Sequence, residues 1–84
     1  MYQVVIERKA EKDLGRLSPP IHRRMSESIL APASDPRPPG CRKLVGGDND
    51  WRIRVGDYRV IYQIADTLRV VRINRVRHRR EVYR

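Results

Sequence analysis

Apolar and polar residues alternate along this chain in three distinct ways, and each change of period marks a change of element. Residues 2–7 are rich in β-formers, with Val4, Val5 and Ile6 in succession, and predict an opening strand. From Lys9 the period lengthens: Ala10, Leu14 and Leu17 fall at i, i+4 and i+7, with Glu11, Lys12, Asp13 and Arg16 outside the stripe, as in an amphipathic helix. Ser18-Pro19-Pro20 then supplies an N-cap and prolines for a first turn, where their missing N–H groups cost little. Ile21, Met25 and Ile29 form a second stripe at i, i+4 and i+8, so the two segments predict a short helical hairpin.

Four prolines fall within residues 31–40, which excludes regular structure there and predicts a surface connection from helices to sheet. The rest reads as a β-meander. A short strand at 42–45 and a turn at 46–50 lead to a strand at 51–55. Gly56-Asp57 makes a tight reversal into a strand at 58–65, and residues 65–67 reverse again into a last strand at 68–76. Alternation puts Trp51, Ile53 and Val55 on one face and Arg52 and Arg54 on the other. On the following strand Tyr58, Val60, Tyr62 and Ile64 share a face, opposite Arg59, Ile61 and Gln63. The tail from Arg75 to Arg84 is too charged to be core. The expected architecture is a single α+β domain over residues 1–84: an N-terminal strand, a helical hairpin, then a mainly antiparallel, twisted sheet of four to five strands.

Composition narrows the function. A quarter of the 84 residues are Val, Ile or Leu, which is the composition of a folded chain, though the core of so small a domain is marginal. One cysteine, Cys41, excludes an internal disulfide and a four-cysteine zinc site, and two histidines supply no metal-ligand spacing. No phosphate-cradling glycine loop and no carboxylate pair placed for glycoside hydrolysis is visible. Apolar runs are too short for a signal peptide or a membrane span, so a cytoplasmic protein without a membrane partner is expected.

Charge is the strongest signal. Nineteen Lys and Arg against ten Asp and Glu give a net +9, and residues 41–84 carry +7 of it, with eleven arginines among twelve basic residues. Arginine grips phosphate oxygens two at a time, so a polyanion such as nucleic acid, or an acidic protein, is the expected partner. Arg52 and Arg54 project from one strand face, and the reversal at Gly56 brings Arg59 alongside. Like charges this close repel, and a phosphodiester backbone would relieve them, as would carboxylates such as Asp48, Asp50 and Asp57. Lys43, Arg72, Arg75, Arg77, Arg79 and Arg80 extend the basic set. His78 can remain neutral among cations and serve as a general base, or be an ordinary surface residue. Tyr83 can stack on an unpaired base or pin the terminus to the sheet.

These runs resemble a known family. Lys43-Leu44-Val45-Gly46, the block from Trp51 to Ile64 (WRIRVGDYRVIYQI) and the ending Val76-Arg77-His78-Arg79-Arg80-Glu81-Val82-Tyr83 are similar to the RelE/ParE toxin superfamily, as are the opening strand and Ala10-Glu11-Lys12-Asp13-Leu14. The resemblance spans nearly the whole chain. It implies the toxin of a bacterial type II toxin–antitoxin pair, partnered by an antitoxin with an acidic or amphipathic segment. Its RelE branch cuts messenger RNA in the ribosomal decoding site, without metal or other cofactor, by attack of the ribose 2′-hydroxyl on the adjacent phosphate. Its ParE branch poisons DNA gyrase by binding, and a non-catalytic nucleic-acid-binding module is a third reading.

Carried over by position, Arg52 and Arg54 match the family's two basic residues before the glycine turn. Arg59 matches its phosphate-gripping arginine, Arg79 its catalytic arginine, and Tyr83 the tyrosine that stacks on the substrate base. Some members carry lysines where Arg52 and Arg54 stand. Arginine stays charged in proteins, so the resemblance assigns these two to charge stabilisation and proton transfer to His78. Lys43, Arg72, Arg75, Arg77 and Arg80 are the expected RNA-binding residues.

Overall fold

The computed structural model describes residues 1–46, 49–78 and 80. Strand β1 (Gln3–Ile6) is followed by helices α1 (Arg8–Gly15) and α2 (Pro19–Leu30), a single 3-10 turn (Ala31–Ala33), and strands β2 (Arg42–Lys43), β3 (Asp50–Val55), β4 (Tyr58–Ala65) and β5 (Val70–His78). The five strands form one mixed sheet in the order β1-β5-β4-β3-β2; β1 runs parallel to β5, and the other pairs are antiparallel. This is the expected α+β architecture.

Both helices pack on the same face of the sheet. Ala10 and Leu14 of α1 and Met25 and Ile29 of α2 meet Val60, Tyr62, Ile64, Val71, Ile73 and Val76, with Trp51, Ile53, Val55 and Tyr58 around them. The strand faces therefore divide as the alternation predicts. Neither α1 nor α2 lies on the other face.

Several local expectations need correction. Leu17 lies beyond the end of α1, and Ile21 is exposed, so the second stripe buries only Met25 and Ile29. Ser18 has the extended backbone of an N-cap but makes no side-chain cap. Residues 31–33 make a 3-10 turn with Pro32 buried, where no regular structure was expected. The strand at 42–45 shrinks to Arg42–Lys43, and Val45 is fully exposed. Gly47 and Asp48 of the expected turn lie outside the described residues.

The last strand is the largest departure. It starts at Val70, after Arg69 has turned through a positive φ of 53°, and runs on to His78. A register shift between Ile61 and Tyr62 pairs them with Arg75 and Ile73, leaving Asn74 as an extra residue. Ile73 and Val76, three apart, are thereby both buried. The charged tail thus begins as a structural strand.

Beyond Ile6 the partner of β5 ends, and α1 takes over its edge. The Asp13 carboxylate accepts the Val76 N–H (3.0 Å) and two hydrogen bonds from Arg75, at 2.8 and 3.2 Å. Its side chain is only 8% exposed. Burial is the largest influence on Asp13 and acts to raise its pKa, but the Arg75 and Val76 hydrogen bonds together outweigh it and hold the carboxyl below its ordinary value.

Candidate nucleic-acid interface

The sheet face opposite α1 and α2 carries the basic residues in rows set by strand register. Arg54 of β3 is the register partner of Arg59 of β4, which is in turn the partner of Arg77 of β5. One step along, Arg42 of β2 partners Arg52 of β3, which partners Ile61. Directly opposed residues in such a ladder have Cβ atoms about 4.5–5.5 Å apart, so five arginines share a small area. The β3–β4 reversal that permits this passes through Gly56 at φ 60°, and the Gly56 carbonyl accepts a hydrogen bond from Arg54 Nε at 3.1 Å.

Arg42, Arg52, Arg54 and Arg59, with Gly40, line one cavity of about 240 Å3. That is smaller than the roughly 300–1,000 Å3 of pockets for drug-sized ligands, and it suits an anion such as a phosphate group. Among the described residues no carboxylate lines it or pairs with Arg42, Arg52 or Arg54. Gathering these charges costs energy, which an anionic ligand would help to offset. Four fixed guanidinium groups can bind and stabilise phosphate charge; none can act as a base. No three His, Cys, Asp or Glu side chains among the described residues come together in a way that could hold a metal ion.

Arg52, Arg54 and Arg59 converge as the sequence predicts, and Arg77 stands beside Arg59 on the same face. Arg42 was missed. Its register with Arg52 depends on how the proline-rich segment enters the sheet, which residue spacing does not reveal.

Other expected site residues lie elsewhere. Lys43 partners Trp51 and so belongs to the opposite face, away from the cavity. Arg72 pairs with Glu7 at 3.1 Å, and Arg75 is held by Asp13; both serve the β1–α1 side of the sheet. Neither lines the cavity.

His78 stands apart from the converging arginines. It follows Arg77 and partners Tyr58, which places it on the helix-bearing face. Its ring stands edge-on to Tyr58 with centroids 5.2 Å apart, and its Nδ1 accepts the Arg80 N–H at 3.2 Å. The pocket it lines contains Asp13, Arg16, Leu17, Tyr58 and Val76, not the converging arginines. Arg80 is exposed just past β5, while Arg79 and Tyr83 lie outside the described residues.

Comparison with known proteins agrees with this fold. Residues 4–83 match the family model described as ParE toxin of type II toxin-antitoxin system. A Methanocaldococcus jannaschii protein that carries the name RelE1 is 28% identical over 86 residues, covering 99% of this chain and 96% of its own. RelE in the archaeal RelE–RelB complex of Pyrococcus horikoshii superposes with a TM-score of 0.82 at 31% identity, covering 93% of this chain and 94% of that one. The RelBE2 toxin–antitoxin complex of Mycobacterium tuberculosis gives 0.80 at 29% identity, over 92% and 96% of the two chains. With a family model matched along almost its entire length and a fold shared with RelE structures, the chain belongs to the RelE/ParE toxin family of type II toxin–antitoxin systems.

Proposed function

We propose that this toxin is a ribosome-dependent endoribonuclease that cuts messenger RNA in the decoding site. The observation that carries the reading is the convergence of Arg42, Arg52, Arg54 and Arg59 on one cavity of about 240 Å3 on the sheet face opposite α1 and α2. RNA brings its own nucleophile, so such an enzyme needs chiefly to bind the scissile phosphate, align the 2′-hydroxyl and stabilise the extra charge of the transition state. Attack of the 2′-oxygen on phosphorus forms the new P–O bond as the bond to the 5′-oxygen breaks. The products are a 2′,3′-cyclic phosphate and a free 5′-hydroxyl.

In this reading Arg52, Arg54 and Arg59 hold the non-bridging oxygens, and Arg42 closes the phosphate site from β2. Proton transfer passes through water or through the segment after His78, where Arg79 and Tyr83 act on the departing group and the base. His78 itself keeps the end of β5 in place against Tyr58. No metal is needed for this chemistry. The solved relatives include complexes of RelE with RelB, which supports an antitoxin partner for this chain, with an acidic segment over the basic face. Ribosomes as the site of action would place the protein in the cytoplasm.

The ParE description of the matched family favours one alternative, inhibition of DNA gyrase by binding. Induced expression separates the readings. Rapid translation arrest with new cuts inside codons supports the ribonuclease. An SOS response and altered plasmid supercoiling with intact messages support the gyrase inhibitor, and neither response leaves a binding module.

A further inference from the structure

The cavity wall nearest β2 is not built by the sheet alone. Gly40 and Arg42 arrive at it from the proline-rich strap of residues 34–41, which leaves the helix-bearing side and crosses to the arginine face. Upstream, the strap is well fastened. Pro32 is buried, Tyr2 N–H donates to the Ala33 carbonyl (2.7 Å), and the Tyr62 hydroxyl donates to the Pro36 carbonyl (2.9 Å).

Arg37 fastens the strap midway, ahead of the Cys41 side chain, which meets the Tyr62 hydroxyl, and of Arg42, which pairs with Arg52. Its guanidinium donates to both oxygens of Asp66, at 3.1 and 2.8 Å, and lies over the Trp51 ring, 5.0 Å from its centroid. Asp66 sits in the β4–β5 turn and is fixed from its other side by the Tyr2 hydroxyl at 2.8 Å. Trp51 is fixed by its indole N–H to the Asn49 side chain at 2.9 Å, and that side chain in turn donates to the Ile64 carbonyl. Between Arg37 and Arg42, the Cys41 N–H donates to the Pro38 carbonyl at 3.1 Å, and the Cys41 side chain reaches Tyr62 on β4. Pro38 and Pro39 stiffen this stretch, which joins Arg37 to Gly40 and to Arg42 at the start of β2.

We propose that Arg37 and Asp66 are positioning residues for the anion cavity: their bidentate pair latches the strap to the far end of the sheet and sets where Gly40 and Arg42 stand over Arg52, Arg54 and Arg59. The inference rests on reading that cavity as a phosphate site. A bidentate pair stacked on an aromatic ring fixes direction as well as distance, which a lysine at the same place does not.

The test follows the guanidinium Nε–H resonances of the folded chain during titration with inorganic phosphate, for the native protein, Arg37→Ala, Arg42→Ala and the double variant. Melting curves confirm that each is folded. Loss of the charged hydrogen bonds from Arg42 weakens phosphate binding by about tenfold in the native background. In the Arg37→Ala background, Arg42→Ala has little left to remove, so the two losses do not add. The exchanged pair Arg37→Asp with Asp66→Arg recovers part of the affinity, whereas Arg37→Lys does not. Equal and additive losses would overturn the latch.

A ligand-free readout keeps the two readings apart. Arg37→Ala should raise hydrogen exchange at the Cys41 amide and shift the Arg42 Nε–H resonance before phosphate is added. Unchanged exchange and an unmoved resonance would sink the latch whatever the cavity binds. Native protein that ignores phosphate, with both of those signals moving, would instead retire the phosphate site and keep the latch.

Discussion

Arg54 and Arg59 are register partners on neighbouring antiparallel strands, flanking the turn at Gly56 and facing away from both helices. Two full positive charges so placed oppose folding, and like charges directly opposed on a sheet are destabilising. Arg54→Gln keeps the chain length and an amide donor but removes one charge. It should raise Tm by about 2–4 °C, the effect of roughly 0.5 kcal/mol in a domain of this size. The same change should lower single-turnover RNA cleavage about a hundredfold, because a charge-stabilising group is lost. A calorimetric scan beside a cleavage assay checks both signs.

His78 and Arg77 give the opposite contrast, being adjacent in sequence and on opposite faces. His78→Ala should leave cleavage within a few-fold of native, while Arg59→Ala should reduce it by about 10²–10³. A His78→Ala loss as large as that of Arg59→Ala, with the fold intact, would return proton transfer to the histidine.

The Asp13 carboxylate ties α1 to the free edge of β5. Asp13→Asn removes the carboxylate charge to which Arg75 donates and weakens acceptance of the Val76 N–H. Removing one partner of a fully buried pair costs about 3–5 kcal/mol, and because Arg75 is one-third exposed the expected loss is smaller, about 2 kcal/mol. Urea unfolding should show it as a lower midpoint at unchanged slope.

Acid stability follows from two carboxylates. Asp66 is brought down to about 2, first by its hydrogen bonds from Arg37 and then by that from Tyr2, and Asp13 also lies below its ordinary value. A folded pKa below the unfolded one adds stability above the unfolded value and loses it as pH falls through the folded value. Tm should therefore hold level on acidification to about pH 5 and then decline between about pH 4 and pH 2. Asp66→Asn and Asp13→Asn should each flatten that decline.

Salt should separate phosphate contacts from packing. Affinity for a non-cleavable RNA should fall linearly with the logarithm of salt concentration, and Arg42→Ala should reduce the slope by about 0.7, the value for one phosphate contact on a single strand. Lys43→Ala, on the other face, should leave the slope unchanged.

Alternation made the two faces of β3 and β4 legible from the residues alone, because Trp51, Ile53 and Val55 oppose Arg52 and Arg54 without a break. The same rule failed on β5. Asn74 adds a residue to that strand, so Ile73 and Val76 share a face at a spacing of three, and a strand ended at Val76 leaves no means of assigning His78 a side. Arg75 read as a tail cation because its partner Asp13 is 62 positions away. Arg42 joined the site through its register with Arg52 ten positions on, which the turn between the two strands did not reveal in the sequence. The arginines of one hairpin were therefore visible in sequence, while the strap that completes their cavity was not.

The most direct measurement places the purified toxin on ribosomes programmed with a message carrying a single 2′-deoxynucleotide immediately 5′ of the scissile phosphate. Cleavage of the all-ribose message to 2′,3′-cyclic phosphate ends, lost both with the deoxy substitution and with Arg59→Ala, is the predicted result. Cleavage that persists on the deoxy message, or an intact all-ribose message in the presence of active ribosomes and folded toxin, would contradict the account.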